Sequence, residues 1–390
     1  MAQASTLLSS HAALPSWKNG SIVWKPHLQS AAEQLKRQAD AVDAEAFARA
    51  VQTEAGRRVD RFMRGVEAYR RHPYRRDLPA FPVVWQEGTT RLIDYSLPGA
   101  NGGPVLLVPS LINRAYILDL AAKRSLARYL AAKGLRPFLV DWDAPGPAER
   151  DFCLDDYVAG RLSRTLDQVL RLAGRPAVLG YCMGGLLALG LAVLRQAEVG
   201  GLAALATPWD FHAPTPLYGR LMAVMKEPLE DALALHGQLP VDLLQAMFAL
   251  IDPGAIERKF RLFSALDGKS ARARDFVALE DWANDGVPLV AGAARDCLFG
   301  WYRDNLPARA AWRLAGCPVL PRTFAKPALV VVPARDRLVP PESALALADL
   351  LPNGRRRVVD SGHVGMLTGA RAKTDVYAYV AKWLLLVSRR

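Results

Sequence analysis

The stretch PAVLGYCMGGLLALGLAVL, residues 176–194, constrains the fold more than any other part of the chain. A short apolar run opens the stretch and predicts a buried strand, and the longer apolar run after the glycines predicts a helix. Gly180 and Gly184 flank Cys182, and small residues are needed where a tight turn brings a helix close to the preceding strand. The stretch therefore predicts a strand, a sharp turn with Cys182 at its tip, and a helix.

Apolar segments of strand length alternate with helical segments on both sides of this unit. Clear examples are residues 104–112, 136–142, 201–211 and 326–336. Strands that are apolar along their whole length and are separated by helices are typical of a parallel sheet that is covered on both faces. The sequence therefore predicts an α/β fold with a mostly parallel sheet flanked by helices.

This alternation fails between residues 211 and 325, where Leu, Ala, Pro and Trp are frequent and no clear buried strand is seen. The segment predicts short helices that cap the site. Residues 29–72 carry an apolar stripe at helical spacing. We therefore predict an N-terminal helical extension at 1–80, an α/β core at 81–210 and 326–390, and a helical cap or lid insertion at 211–325.

Composition and charge exclude several classes of protein. The chain has 390 residues, of which 51% are hydrophobic, so it can bury a large core. The chain has no run of 18 apolar residues, so the sequence predicts no membrane span. It also has no basic segment before a long apolar core, so the sequence predicts no secretory signal. The formal charge is +12, but the basic residues are scattered, so nucleic acid is not a predicted partner. The charge indicates a solvated basic surface or attraction to anionic ligands.

The four cysteines are Cys153, Cys182, Cys297 and Cys317. They form no CxxC pair and have no histidine at metal-ligand spacing, so the sequence predicts no disulfide framework and no metal site. Cysteines without a disulfide framework favour a location in the reducing cytoplasm. The sequence identifies no cofactor-binding residues.

Three residues form the candidate catalytic set. Cys182 occupies the nucleophile position of a G-x-Nuc-x-G turn, and no G-x-S-x-G sequence competes with it. His363 is the one histidine of six that follows the late strands, where this arrangement places its base. Asp336 follows the strand before it and can orient the imidazole. Asp360 is the competing acid, and we favour Asp336.

Two backbone N–H groups are expected to stabilise an oxyanion. The amide of Met183 follows the nucleophile, and the second donor should come from the loop at residues 110–113, where we favour Ile112. In the predicted cap, the aromatic residues Trp282, Trp301 and Tyr302 fit either core packing or a substrate channel or dimer face.

Together these segments resemble the polyhydroxyalkanoate synthases, including poly-3-hydroxybutyrate synthases, within the α/β-hydrolase superfamily. GYCMGG at 180–185 matches that family's cysteine form of the lipase box, and ARDRLVP at 334–340 and SGHVG at 361–365 match its acid and histidine loops. Residues 109–147 resemble the stretch around its Ile-Asn-x-x-Tyr-Ile-Leu-Asp-Leu motif. Residues 279–306 are similar to the cap of the short synthases that work with a second subunit.

The resemblance implies a Cys-His-Asp acyltransferase of the α/β-hydrolase fold that polymerises 3-hydroxyacyl-CoA and releases CoA. Cys182 would carry the chain as a thioester, His363 would deprotonate the thiol and later the attacking hydroxyl, and Asp336 would support His363 or help to activate the 3-hydroxyl group. It implies no cofactor beyond the coenzyme A of the donor. The implied partners are a polyester chain or granule and a second synthase subunit or a second copy of the chain, in the cytoplasm or at the granule surface.

Two other functions remain open from the residues. The first is a cysteine-dependent α/β-hydrolase, such as an esterase, a thioesterase or an intracellular polyester depolymerase, because fold and triad do not determine the acceptor. Dienelactone hydrolases resemble this chain in using cysteine in the same architecture. The second is a non-catalytic protein that binds granules or a synthase, and the intact set of Cys182, Asp336 and His363 argues against it.

Overall fold

The structure is a computed structural model, and the residues it describes are 15, 16, 19, 21–40 and 42–388. Residues 1–14 lie outside the described residues, and the start of the predicted extension and the predicted absence of a secretory signal fall on them. Contacts divide the chain into two compact units. One comprises the residues up to Tyr74 together with Asp252–Val277, and the other comprises Arg75–Ile251 together with Ala278–Arg390.

The larger unit is built on a sheet of eight strands in the described part of the chain. The order of the strands is β1-β2-β4-β3-β5-β6-β7-β8. The hairpin of β1 and β2 is antiparallel, β2 pairs antiparallel with β4, and the other pairings are parallel. The strands are β1 (Val83–Glu87), β2 (Thr90–Asp94), β3 (Pro104–Val108), β4 (Arg136–Asp141), β5 (Ala177–Tyr181), β6 (Gly201–Leu205), β7 (Ala328–Pro333) and β8 (Gly354–Val359).

Helices cover the sheet and form most of the remaining structure. Wider π-type turns at Asp156–Leu162, Asp296–Arg303 and Lys373–Tyr377 extend three of them. In the described residues the α-helices are α1 (Gln29–Asp40), α2 (Ala44–Arg70), α3 (Leu126–Ala132), α4 (Ser163–Ala173), α5 (Met183–Leu194), α6 (Leu217–Val224), α7 (Lys226–His236), α8 (Val241–Ile251), α9 (Ala255–Phe263), α10 (Ala271–Asn284), α11 (Ala291–Arg295), α12 (Pro341–Leu350), α13 (Gly365–Thr368) and α14 (Ala378–Val387).

The central strands are the most buried part of the molecule. Every residue of β3, β5, β6 and β7 is buried. Helices that cover both faces of a parallel sheet leave no face for polar residues, so these strands are apolar throughout. The predicted α/β fold with a mostly parallel sheet flanked by helices is confirmed.

The smaller unit is helical. The carboxylate of Asp43 accepts a hydrogen bond from the Ala46 amide at 2.8 Å and caps the start of α2. A Cβ atom at Gly65 would lie 2.0 Å from the carbonyl oxygen of Phe260, so glycine lets α2 and α9 approach closely. Rings of Phe260 and Phe263 both pack on Phe276. The grouping of residues 252–277 with the N-terminal helices was not expected from the sequence.

The segment between β6 and β7 is mainly helical, as predicted, but it also contains two short antiparallel ribbons. Gln238–Leu239 pairs with Leu289–Val290, and Arg313–Leu314 pairs with Cys317–Pro318. The sequence showed no clear buried strand in this segment, because two-residue strands are too short to show a period of two. That the segment acts as a cap stays a prediction. None of the helices in the described part of the chain combines the length and the hydropathy that a membrane-spanning helix needs.

Candidate active site

Cys182 lies in a tight turn between β5, which ends at Tyr181, and α5, which begins at Met183. Its backbone has φ 55° and ψ −128°, a strained conformation for a residue with a side chain. Its amide donates to the carbonyl oxygen of Leu205 at 2.9 Å, and its own carbonyl accepts from the Gly185 amide at 2.9 Å. These bonds hold Cys182 at the carboxyl end of β5.

The glycines around Cys182 are required by close backbone contacts. A Cβ atom at Gly180 would lie 2.3 Å from the Gly184 carbonyl oxygen, and one at Gly184 would lie 2.2 Å from that of Val108. A third glycine, Gly185, was not predicted to matter. A Cβ atom at Gly185 would lie 1.8 Å from the hydroxyl oxygen of Thr207. Only glycine therefore lets α5 start so close to β5 and to the end of β3.

His363 and Asp336 are brought together by the ends of β8 and β7. Nδ1 of His363 lies 2.7 Å from Oδ2 of Asp336, and the two side chains are 9% and 0% exposed. The other carboxylate oxygen accepts from the amides of Leu338 and Val339, both at 2.9 Å. Both oxygens of Asp336 are therefore engaged, which fixes the direction in which it holds the imidazole.

Asp360, the competing acid, is placed elsewhere. Its carboxylate pairs with Nε of Arg335 at 2.9 Å, and its side chain is 65% exposed. An exposed carboxylate that is paired with arginine does not orient a buried imidazole. The structure therefore brings Asp336, and not Asp360, to His363.

The pKa of His363 reports its neighbours. Burial alone lowers that pKa, but the charge of Cys182, hydrogen bonding of the imidazolium to the side chains of Asp336 and Cys182, and the charge of Asp336 together raise it from 6.5 to about 10. Cys182 is therefore close enough for its charge and side chain to act on the imidazole. The site therefore favours a protonated His363 between Cys182 and Asp336.

Two tyrosines that the sequence analysis did not assign lie at this site. The hydroxyl of Tyr181 donates to the carbonyl oxygen of His363 at 3.3 Å, and the two rings lie 5.3 Å apart. Burial and the charge of Cys182 raise the pKa of Tyr181 and that of Tyr302, so both stay neutral hydroxyl donors. Tyr181 has no sequence signal that separates it from an ordinary strand residue.

Of the three aromatic residues of the predicted cap, two fit core packing and Tyr302 has a different environment. Trp301 and Trp282 are buried, at 2% and 7% exposure, as core packing predicts. Burial and, after it, the charge of Cys182 raise the pKa of Tyr302, and its ring packs edge-on against Phe211 at 4.8 Å. Its carbonyl oxygen accepts from Nε2 of His212 at 3.1 Å. Tyr302 therefore belongs to the surroundings of the nucleophile.

The two predicted oxyanion donors lie at the ends of neighbouring strands. Met183 is the first residue of α5, where amides have no acceptor within the helix. Ile112 follows β3, and its amide lies 3.5 Å from the Ser110 hydroxyl, at the limit of a hydrogen bond. A Cβ atom at Gly184 would lie 2.6 Å from the Pro109 carbonyl oxygen, so the start of α5 meets this loop. That both amides serve one oxyanion stays a prediction.

No metal site is formed by the residues that the structure describes, since no group of three or more His, Cys, Asp or Glu side chains is suitably arranged there. The remaining cysteines differ from Cys182 in their surroundings. Burial raises the pKa of Cys297 and of Cys153, and Cys317 is exposed. Within the part of the chain that the structure describes, Cys182 is the one cysteine of the four with a histidine–carboxylate pair near it.

The fold and this site define the class of protein. The family described as alpha/beta hydrolase fold matches residues 103–370, and the chain belongs to that family. Among solved structures, the Paleococcus ferrophilus monoacylglycerol lipase aligns with a TM-score of 0.50 at 16% identity. The alignment covers 77% of this chain and 99% of the lipase, and it shows the shared fold.

More specific relatives are polymerase subunits. The chain is 30% identical over 312 residues to the poly(3-hydroxyalkanoate) polymerase subunit PhaC of Haloferax mediterranei, covering 77% of this chain and 63% of that protein. It is 29% identical over 293 residues to the subunit of the same name from Allochromatium vinosum, covering 74% of this chain and 82% of that one. The chain thus spans less than two thirds of the Haloferax protein.

Proposed function

We propose that this chain is a polyhydroxyalkanoate synthase-like acyltransferase that polymerises 3-hydroxyacyl-CoA through a thioester on Cys182 and releases CoA. The observation that carries the proposal is the hydrogen-bonded pair of His363 and Asp336, which acts on Cys182 at the turn after β5. The similarity to the polymerase subunits supports the choice of donor and product.

The first step is transfer of the acyl group from CoA to the enzyme. The thiolate of Cys182 attacks the thioester carbonyl, and the carbonyl oxygen takes up the negative charge beside the amides of Met183 and Ile112. When the intermediate collapses, the bond to the CoA sulfur breaks and His363 gives that sulfur a proton. The products are CoA and an acyl thioester on Cys182.

The second step forms the ester of the polymer. His363 accepts the proton of a 3-hydroxyl group while the oxygen of that hydroxyl attacks the acyl thioester on Cys182. The carbon–sulfur bond breaks, an oxoester forms, and the cysteine leaves as thiolate beside the imidazolium. Asp336 stabilises the charge on His363 in both steps.

The use of cysteine instead of serine fits this sequence of steps. Exchange of one thioester for another changes the free energy little, so the acyl group stays activated for transfer to a hydroxyl. A serine ester would lose that activation in the first step. A thiolate is also a stronger nucleophile than a hydroxyl near neutral pH.

Hydrolysis is the second candidate function, because the same series of side chains can activate water. The observation in its favour is the fold, which is shared with a monoacylglycerol lipase. We favour polymerisation because of the cysteine and because of the named relatives. Those relatives are called subunits, so we include a second subunit or a second copy of the chain as a partner, and a polyester granule in the cytoplasm as the place of action.

The experiment that separates the two functions uses 3-hydroxybutyryl-CoA as substrate. Free CoA thiol and insoluble polyester are measured together, and both are expected to increase. CoA release with only free 3-hydroxybutyrate would contradict polymerisation. Cys182→Ala should abolish CoA release, whereas Cys317→Ala, which changes an exposed cysteine elsewhere, should retain it.

A further inference from the structure

The loop after β3 that carries Ile112 is held by backbone contacts on two sides. Nε1 of Trp142 donates to the Pro109 carbonyl oxygen at 3.1 Å on the sheet side. The amide of Val287 donates to the Ile112 carbonyl oxygen at 3.3 Å, and Nε1 of Trp282 donates to that of Arg114 at 2.9 Å. Residues 282–287 therefore hold one side of the loop through hydrogen bonds to its backbone.

Arg114 links these two sides through its side chain. Nε donates to Oδ1 of Asp285 at 3.1 Å, and Nη1 donates to Oδ1 of Asp143. The guanidinium is only 27% exposed, although both partners are partly open to solvent. A planar guanidinium with donors in a fixed fork defines the separation and the orientation of two carboxylates, which a single ion pair does not.

Both carboxylates are themselves anchored. Asp143 follows β4, has φ 57°, accepts from the Ala144 amide at 2.8 Å and pairs with Arg91 at 3.1 Å. Asp285 follows α10, and its Oδ2 accepts from the Tyr116 hydroxyl at 3.1 Å. Arg114 therefore joins two fixed points, and the loop between Pro109 and Arg114 is tied down at both ends.

We propose that Arg114 is a positioning residue that aims the Ile112 amide at the developing oxyanion. An oxyanion donor must lie within about 2.7–3.1 Å of the oxygen, and a shift of about 1 Å costs up to roughly 10²-fold in rate. Ile112 is two residues from Arg114, and its amide is held only weakly by Ser110 at 3.5 Å. The inference rests on the proposed function for the identity of the substrate. The test below uses other reagents and does not depend on that function.

The test compares two reactions of Cys182 in Arg114→Gln. Acylation by p-nitrophenyl butyrate passes through an oxyanion and is followed by release of p-nitrophenolate. Alkylation by iodoacetamide displaces iodide from a saturated carbon and forms no oxyanion. We expect the acylation rate constant to fall roughly 10- to 100-fold while the alkylation rate constant stays within about twofold.

Matched variants separate positioning from general damage. Arg164→Gln removes a partly exposed arginine that pairs with Glu87, and it should change neither rate constant. Arg114→Lys keeps the charge but loses the fork, so its acylation rate should be intermediate. If Arg114→Gln does not fold, Asp285→Asn removes the charge of one anchor and should slow acylation in the same direction, with a smaller effect.

An equal fall in both rate constants, or no fall in acylation, would overturn the assignment of Arg114. A wild-type protein that is alkylated but never acylated at Cys182 would overturn it as well. A wild-type protein that acylates normally but makes no polymer contradicts only the proposed function, and the role of Arg114 then stands.

Discussion

His363 and Asp336 lie 2.7 Å apart through Nδ1 and Oδ2, and the backbone amides of Leu338 and Val339 hold the remaining carboxylate oxygen. Because both side chains are buried, water does not screen their interaction. The pair therefore sets the tautomer and the charge of the imidazole that acts on Cys182.

Asp336→Asn should reduce the rate of CoA release by roughly 10³- to 10⁴-fold, because a neutral amide no longer stabilises the imidazolium and favours the wrong tautomer. The measurement is the initial rate of CoA release from 3-hydroxybutyryl-CoA. Asp360→Asn is the matched control, since the exposed carboxylate of Asp360 pairs with Arg335 instead of orienting His363. Equal effects of the two changes would refute the choice of acid.

The pKa of His363, raised to about 10, should be visible in an NMR titration of its ring protons. Cys182→Ala removes one charge and one hydrogen bond that raise this pKa, so the titration of His363 should move toward lower pH in the variant. A His363 titration that is identical in both proteins would contradict the coupling to Cys182.

The same shift predicts how the stability contributed by His363 changes with pH. Its pKa is higher in the folded than in the unfolded state, so this contribution is complete below about pH 6.5 and is lost as the pH rises through about 10. His363→Gln should therefore lower the free energy of unfolding more at pH 6.5 than at pH 10. Urea unfolding of both proteins at the two pH values tests this, and the reverse order would contradict it.

Gly184→Ala should destabilise the fold by about 1–3 kcal/mol or more, because the new methyl group would meet the backbone of Val108 and Pro109. Gly160→Ala is the control, since its nearest neighbour is a flexible arginine side chain at 3.6 Å. In its helical turn, alanine should be neutral or stabilising by up to about 1 kcal/mol. The midpoint of thermal unfolding should therefore fall in Gly184→Ala and stay unchanged or rise in Gly160→Ala.

Cys182→Ser should retain the fold but lose polymer synthesis. A serine hydroxyl depends fully on His363 for activation, and the ester it forms is less reactive toward a second hydroxyl than a thioester. We expect little polyester and at most slow release of CoA, measured by thiol appearance and by mass spectrometry of the acylated residue. Undiminished polymer synthesis would contradict the thioester route.

Much of this architecture follows from local sequence. The apolar segments of β3, β5, β6 and β7 predicted buried parallel strands, and the glycines around Cys182 predicted a tight turn before a helix. The structure has both features. Such features depend on residues close together in the chain, where periodicity and backbone sterics act directly. The carboxyl ends of parallel strands meet at one edge, which is why Asp336 and His363 could be named in advance.

Tertiary structure alone decided the features that join distant residues. The sequence favoured Asp336 over Asp360, but the burial of Asp336 and the exposure of Asp360, which sequence spacing does not report, come from the tertiary structure. The link from Arg114 to Asp143 and Asp285 spans up to 171 residues. Hydrogen bonds and charges act over a few ångströms regardless of separation along the chain, so only the folded arrangement brings such groups together.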